Sequence, residues 1–180
     1  MIQFISLSSG SNGNCYYLGN EQTALLIDVG IGGRTIKKRL EDNNLSISNV
    51  QMILVTHNHI DHIKYLGSVA DRLSVPVYAP SGIHQALEVH PCTKGTMNGC
   101  KRVIKKETFV QNRGVKFVAF DVPHDAVETV GYYIDFFGEK FVFMTDLGEV
   151  PEAAMEYCRM ADHLIIESNF DLDMLIRGSY

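Results

Sequence analysis

Three of the seven histidines fall inside one six-residue stretch, His57-Asn58-His59-Ile60-Asp61-His62, directly after the apolar run Met52-Ile53-Leu54-Val55. A short apolar run bounded by polar residues reads as a buried strand, so the imidazoles are delivered where a strand meets a loop. In extended chain alternate side chains share a face. That would set His57, His59 and Asp61 together while His62 begins a helix. The pattern offers His57 and His59 to one metal ion, and Asp61 and His62 to a second. Imidazole and carboxylate suit Zn²⁺, Mn²⁺ or Fe²⁺, and no thiolate lies nearby to demand a softer ion. The alternative reading is a polar surface loop.

A metal centre also needs ligands from elsewhere in the chain. Val118-Ala119-Phe120-Asp121-Val122-Pro123 leads to His124, and Phe141-Val142-Phe143-Met144-Thr145 leads to Asp146. Each puts a ligand-type residue at the end of a buried strand. Taken alone, His124 reads as an ordinary polar residue and Asp146, close to Gly148, as a turn former. Leu25-Leu26-Ile27-Asp28-Val29-Gly30 ends another apolar run with an acid.

Periodicity and turn residues predict strands over residues 1–7, 14–18, 23–27, 52–55, 75–78, 115–122, 130–136, 140–144 and 164–166. Helices are expected over 35–41 and 63–73, from Ser81 with its serine as N-cap, and over 151–160. Residues 90–99 read as loop. Ser8 to Asn14 is rich in turn formers, and Asn12-Gly13 predicts a hairpin turn; a phosphate-cradling loop is the rival reading. Mixed strands and helices in this order suggest an α+β fold, sheets covered by helices, in one domain spanning 1–180.

Composition narrows the function classes. Hydrophobic residues make up 46% of the chain and charged ones 21%, which excludes a disordered or collagen-like chain. No apolar run approaches the roughly 18 residues of a membrane span, and the N-terminus lacks the basic start of a signal peptide; a cytoplasmic location, with no membrane partner, is expected. Cys15, Cys92, Cys100 and Cys158 form no C-x-x-C pair and read as reduced thiols. His90, Cys92 and Cys100 match no usual zinc spacing. A net charge of −5 argues against a generic, electrostatically driven nucleic-acid binder but not against a nuclease. The basic clusters Lys37-Lys38-Arg39 and Lys101-Arg102 with Lys105-Lys106 read as solvated faces.

The segment Thr56 to His62 resembles the H-x-H-x-D-H signature of the metallo-β-lactamase superfamily. Asp28 in Leu-Ile-Asp-Val-Gly, His124 in Val-Pro-His-Asp-Ala and Asp146 in Met-Thr-Asp-Leu-Gly resemble its other signatures. Ser9-Gly10-Ser11-Asn12-Gly13-Asn14-Cys15 and Glu167-Ser168-Asn169 are similar to the WalJ-type branch, cytoplasmic exonucleases acting on DNA. The resemblance implies an αββα sandwich and two divalent ions, zinc, manganese or iron. It implies that His57, His59 and His124 hold the first ion, Asp61 and His62 the second, and that Asp146 bridges them. Asp28 would orient a ligand histidine. Two such ions, roughly 3.5–4 Å apart, would make a hydroxide available near neutral pH, with Asp61 as the catalytic carboxylate and single-stranded DNA as the substrate. The superfamily also supplies a last histidine from a later strand; no histidine follows His163, so the final strand and helices are expected to be lacking. Hydrolysis of a thioester or lactone, and a non-catalytic metal-binding remnant, are the alternatives. A groove lined by Lys101, Arg102, Lys105 and Lys106 would favour the nuclease, and a closed apolar pocket the acyl substrate.

Overall fold

The computed structural model describes residues 1–124, 126–148 and 150–167. Its first sheet holds β1 Gln3–Ser8, β2 Cys15–Gly19, β3 Ala24–Ile27, β4 Val50–Leu54, β5 Val77–Pro80 and β6 Lys101–Ile104, side by side in chain order. β1 to β3 pair antiparallel and β3 to β6 parallel. The second sheet holds β7 Val110–Asn112, β8 Val115–Asp121, β9 Val130–Phe136, β10 Glu139–Met144 and β11 His163–Ile166, in the order β11-β10-β9-β8-β7. There β11 joins β10 in parallel and the other pairs are antiparallel.

Strand alternation explains the layering. Along β8, Val115, Phe117 and Ala119 enter the main core between the sheets, while Val118 and Phe120 point to the opposite face. β10 repeats the division, with Phe141 and Phe143 inward and Val142 and Met144 outward. Successive strand residues face opposite sides, so strands buried on both faces read as unbroken apolar runs. The outward set is covered by α5 Glu152–Met160, which lies against β8 and β10. On the first sheet, α1 Gly33–Glu41 buries Ile36 and Leu40, α3 Leu66–Leu73 buries Leu66, Val69 and Ala70, and α4 Ser81–Val89 buries Ile83 and Leu87. Helices on both outer faces make this the expected α+β, αββα arrangement. Among the described residues no helix is long and apolar enough to cross a membrane.

Several local expectations are corrected. The helix expected over 63–73 is split into α2 Ile60–Ile63 and α3 by Tyr65, whose φ of −116° and ψ of 6° leave the helix and whose N–H donates to Val29 O at 3.0 Å. Ser81 is the first residue of α4, not its cap: Pro80 ends β5 and holds the cap position, with no side-chain hydrogen bond. Pro151 likewise precedes α5 as its cap. β6 and β7 were not expected, because as short flanking strands they bury too little to show alternation; in β6 only Ile104 is buried. The Asn12-Gly13 turn closes through Gly13 N–H to Gly10 O at 2.9 Å, inside a longer loop between β1 and β2 rather than a two-residue hairpin. Ser168 and Asn169, with the expected lack of later elements, lie outside the described residues.

Buried polar links join the two sheets, among them the Val130 N–H of β9 donating to Thr56 O at 2.9 Å. Tyr132 of β9 donates its hydroxyl to Val55 O, just beyond β4, at 2.7 Å. Replacing Tyr132 with Phe leaves that carbonyl short of a partner and should lower stability by about 1–2 kcal/mol, read from urea denaturation.

Candidate metal centre

Strand ends from both sheets meet at one place. His57, His59, Asp61 and His62 follow β4, His124 follows β8 and Asp146 follows β10. Backbone hydrogen bonds lace the first-sheet loops together: Asn14 N–H to Asp61 O at 2.7 Å, Gly30 N–H to Asn14 O at 2.8 Å, and Val29 N–H to His62 O at 2.7 Å. Residue 30 has to be glycine for this, since a Cβ there would stand 1.7 Å from Asp61 O.

Three imidazoles pack around that of His57, with ring centroids 4.1 Å away for His62, 4.7 Å for His59 and 5.1 Å for His124. Two donor groups result. His57, His59 and His124 form one; His57, His62 and Asp146 form the other, each with ligand atoms within 4.8 Å of one another. Asp61 belongs to neither group. The extended segment ends at His59, and Asp61 sits in the first turn of α2, so strand alternation does not carry it onto the His57 face. Its Oδ2 lies 3.6 Å from His62 Nε2 and accepts from Asn14 Nδ2 at 3.0 Å. The Asn14 amide is fixed by Gly10 N–H donating to its Oδ1 at 2.9 Å, and its Nδ2 also lies 2.9 Å from His62 Nε2.

Behind the imidazoles lies Asp28, fully buried, in a left-handed conformation at φ 57°. Its Oδ1 accepts the Thr56 N–H at 2.8 Å, and its Oδ2 accepts the Thr56 hydroxyl at 2.6 Å and His62 Nδ1 at 2.8 Å. With its hydrogen committed to Asp28, the Thr56 hydroxyl receives the proton of His57 Nδ1 at 2.9 Å. His57 is thereby held as the Nδ1–H tautomer, and in both histidines Nδ1 is engaged, which leaves Nε2 to face a metal. Asp28 thus bonds a ligand-type histidine, and through Thr56 reaches a second.

The site fits a divalent cation. His57 Nε2 is buried without a hydrogen-bond partner among the described residues, a state costing about 1–3 kcal/mol unless something satisfies it. It sits where both donor groups meet, and their imidazole and carboxylate composition matches borderline and hard divalent ions.

Electrostatics point the same way. Burial, reinforced by His62 beside it, lowers the His57 imidazole to about 3. Burial pulls on His62 too, but Asp28 and then Asp146 outweigh it and raise that imidazole to about 10. Burial raises Asp146, yet its hydrogen bond with His62, at 3.2 Å, brings the carboxyl down to about 2. A histidine raised from 6.5 to about 10 stabilises the fold while protonated; that contribution is full below pH 6.5 and is lost as the pH rises through about 10.

An open cleft of about 470 Å³ adjoins Asp61 and Asp146, with Ser9, Ser11 and Asn14 on one side and Phe4 and Tyr16 on the other. It is neither a closed apolar pocket nor a basic groove. Lys101 is paired with Glu88 at 2.7 Å, and Lys106 with Asp121 at 2.6 Å and Glu128 at 2.9 Å. His163 lies at the far end of β11, stacked on Phe141 with centroids 4.6 Å apart. His90, Cys92 and Cys100 form no ligand group among the described residues. Asn14, Thr56 and Glu167, whose Oε2 accepts the Asp146 N–H at 2.5 Å, lie in segments that carried the resemblance, but the sequence assigned them no role at the site. The available signal was the requirement that every metal-binding imidazole have a partner for its other nitrogen.

A model of the β-lactamase superfamily domain matches residues 23–177. Exodeoxyribonuclease YycJ of Bacillus anthracis is 34% identical over 180 residues, which cover 99% of this chain and 67% of that protein. Exodeoxyribonuclease WalJ of Streptococcus pneumoniae is 32% identical over 179 residues, 99% of this chain and 66% of that one. Among solved structures, Zn(2+)-bound PqqB from Methylobacterium extorquens superposes with a TM-score of 0.72 at 17% identity, covering 92% of this chain and 64% of its own. The chain belongs to the metallo-β-lactamase superfamily. Within it the chain is WalJ-like, and it spans about two thirds of the length of those curated relatives.

Two outcomes are expected. Thr56→Val removes the acceptor for His57 Nδ1–H and should weaken metal binding about 10- to 100-fold in a chelator competition, with Thr56→Ser close to wild type. Because His62 carries a proton at neutral pH without metal, loading at pH 7.5 should release about one proton per chain. Calorimetry in buffers of different ionisation enthalpy reads that number.

Proposed function

We propose that the chain is a metal-dependent phosphodiesterase that degrades DNA from an end, working with two divalent ions. The observation that carries this reading is the pair of donor groups meeting at His57, one of three imidazoles and one containing Asp146. The exodeoxyribonuclease relatives supply the substrate class. His57, His59 and His124 would hold one ion, His62 and Asp61 the other, and Asp146 would bridge them. The ions supply Lewis acidity, lowering the pKa of a water and neutralising charge on phosphoryl oxygens.

The protein's own groups do the positioning. Asp28 and Thr56 hold the His57 and His62 rings with Nε2 forward. Asn14 holds the partly exposed Asp61 carboxylate at the mouth of the cleft. There Asp61 orients the attacking water and takes its proton. Glu167, by accepting the Asp146 N–H, fixes a residue at φ 53° whose carboxylate has to face His62.

The test is digestion of end-labelled single-stranded DNA by the metal-loaded protein. Asp61→Ala should lower turnover at least about a hundredfold. A wild-type protein that leaves DNA intact but opens a thioester or lactone would replace this reading with acyl hydrolysis. One that hydrolyses neither would leave a metal-binding remnant.

A further inference from the structure

Lys101 and Lys106 are engaged by acids, so that cluster offers less free charge to a nucleic acid. Another set of cations gathers elsewhere. Residues of α1 and α3 line a cleft of about 270 Å³, with Arg34 and Lys37 from α1, Arg72 from α3, and the apolar Ile47, Val69 and Leu73. All three cations are exposed. Lys37 reaches Glu41 at 3.6 Å, whereas Arg34 and Arg72 have no ion pair among the described residues. Three cations gathered around one cleft repel one another unless an anion joins them, and they do so here on a chain whose net charge is −5.

Two exposed apolar side chains, Ile60 and Tyr65, stand either side of Asp61 in the chain, ahead of α3. Tyr65 is 38% exposed, and a Cβ on Gly32, just before α1, would meet its ring at 3.7 Å. The Lys64 ammonium stands 5.6 Å from the centre of that ring. Ile60, 55% exposed, adjoins Asp61 in α2. An aromatic face flanked by cations is the recurring platform for single-stranded nucleic acid: bases stack on the ring and phosphates meet the charges.

We propose that a single strand of nucleic acid lies along this surface on its way to the metal centre. Phosphates sit in the Arg34, Lys37 and Arg72 cleft, a base stacks on Tyr65 beside Lys64, and the next linkage reaches Asp61. This rests on the phosphodiesterase reading and adds the path of the strand. Arg34 and Arg72 are planar forks suited to phosphate oxygens.

The probe is a fluorescent, fully phosphorothioate single-stranded thymidine oligomer, which resists hydrolysis while keeping its charge, bound to metal-loaded protein at several salt concentrations. Arg34→Glu with Arg72→Glu should weaken binding at least about tenfold and reduce the slope of log K against log salt by about 1.4, roughly 0.7 for each phosphate no longer neutralised. Tyr65→Ala should weaken it at least about fivefold. Lys105→Glu with Arg113→Glu, the same change in charge in the loops either side of β7, should leave affinity near wild type. Equal losses in the two double variants would reduce the effect to bulk charge and overturn the proposal. Full affinity in the Arg34 and Arg72 variant, with a wild type that digests DNA, would overturn the path alone. A wild type that neither binds nor digests single strands would sink the nuclease reading and the path with it.

Discussion

The arrangement of the site depends on one buried carboxylate. Asp28 accepts the Thr56 N–H, the Thr56 hydroxyl and His62 Nδ1, and through the hydroxyl it also determines how His57 is protonated. A charge at zero exposure is tolerated only when it is surrounded by donors, and these donors come from the segment that carries the histidines. The requirement runs both ways. The imidazoles need Asp28 to hold them with Nε2 forward, and the buried Asp28 oxygens need their donors.

Asp28 and Asp146 share a second property. Each follows a core strand, β3 or β10, and each occupies the left-handed region, at φ 57° and 53°. Non-glycine residues adopt that conformation at some cost, and it gathers at functional sites. It turns the chain sharply enough to aim a short side chain back across the strand ends. Hydrogen bonds hold both turns: Asp28 N–H to Leu54 O at 2.9 Å, and Asp146 N–H to Glu167 at 2.5 Å.

Much of this was legible in the sequence, for physical reasons that differ by element. The two-sided burial of β8, β9 and β10 left short apolar runs whose length and flanking turn residues marked them as strands, and the dense histidine segment after β4 marked the site. His124 and Asp146 were legible as strand-end residues, and the superfamily resemblance joined them to the cluster. What sequence alone could not give was local geometry. The turn at Tyr65 depends on a hydrogen bond to Val29, a pairing between segments far apart in the chain. Asp61 left the face of His57 because α2 begins one residue earlier. The engagement of Lys101 and Lys106 depends on acids in α4, at the end of β8 and in the loop before β9, which only the folded chain brings near.

The donors around His57 come from both halves of the sandwich, the first sheet through the loop after β4 and the second through the ends of β8 and β10. An ion held there acts as a clasp across the two layers at their open end, opposite in character to the neutral hydroxyl link of Tyr132 farther in. Any free energy of metal binding is therefore also free energy of sheet docking. Loss of the ion would loosen the junction of the sandwich before it loosened either sheet.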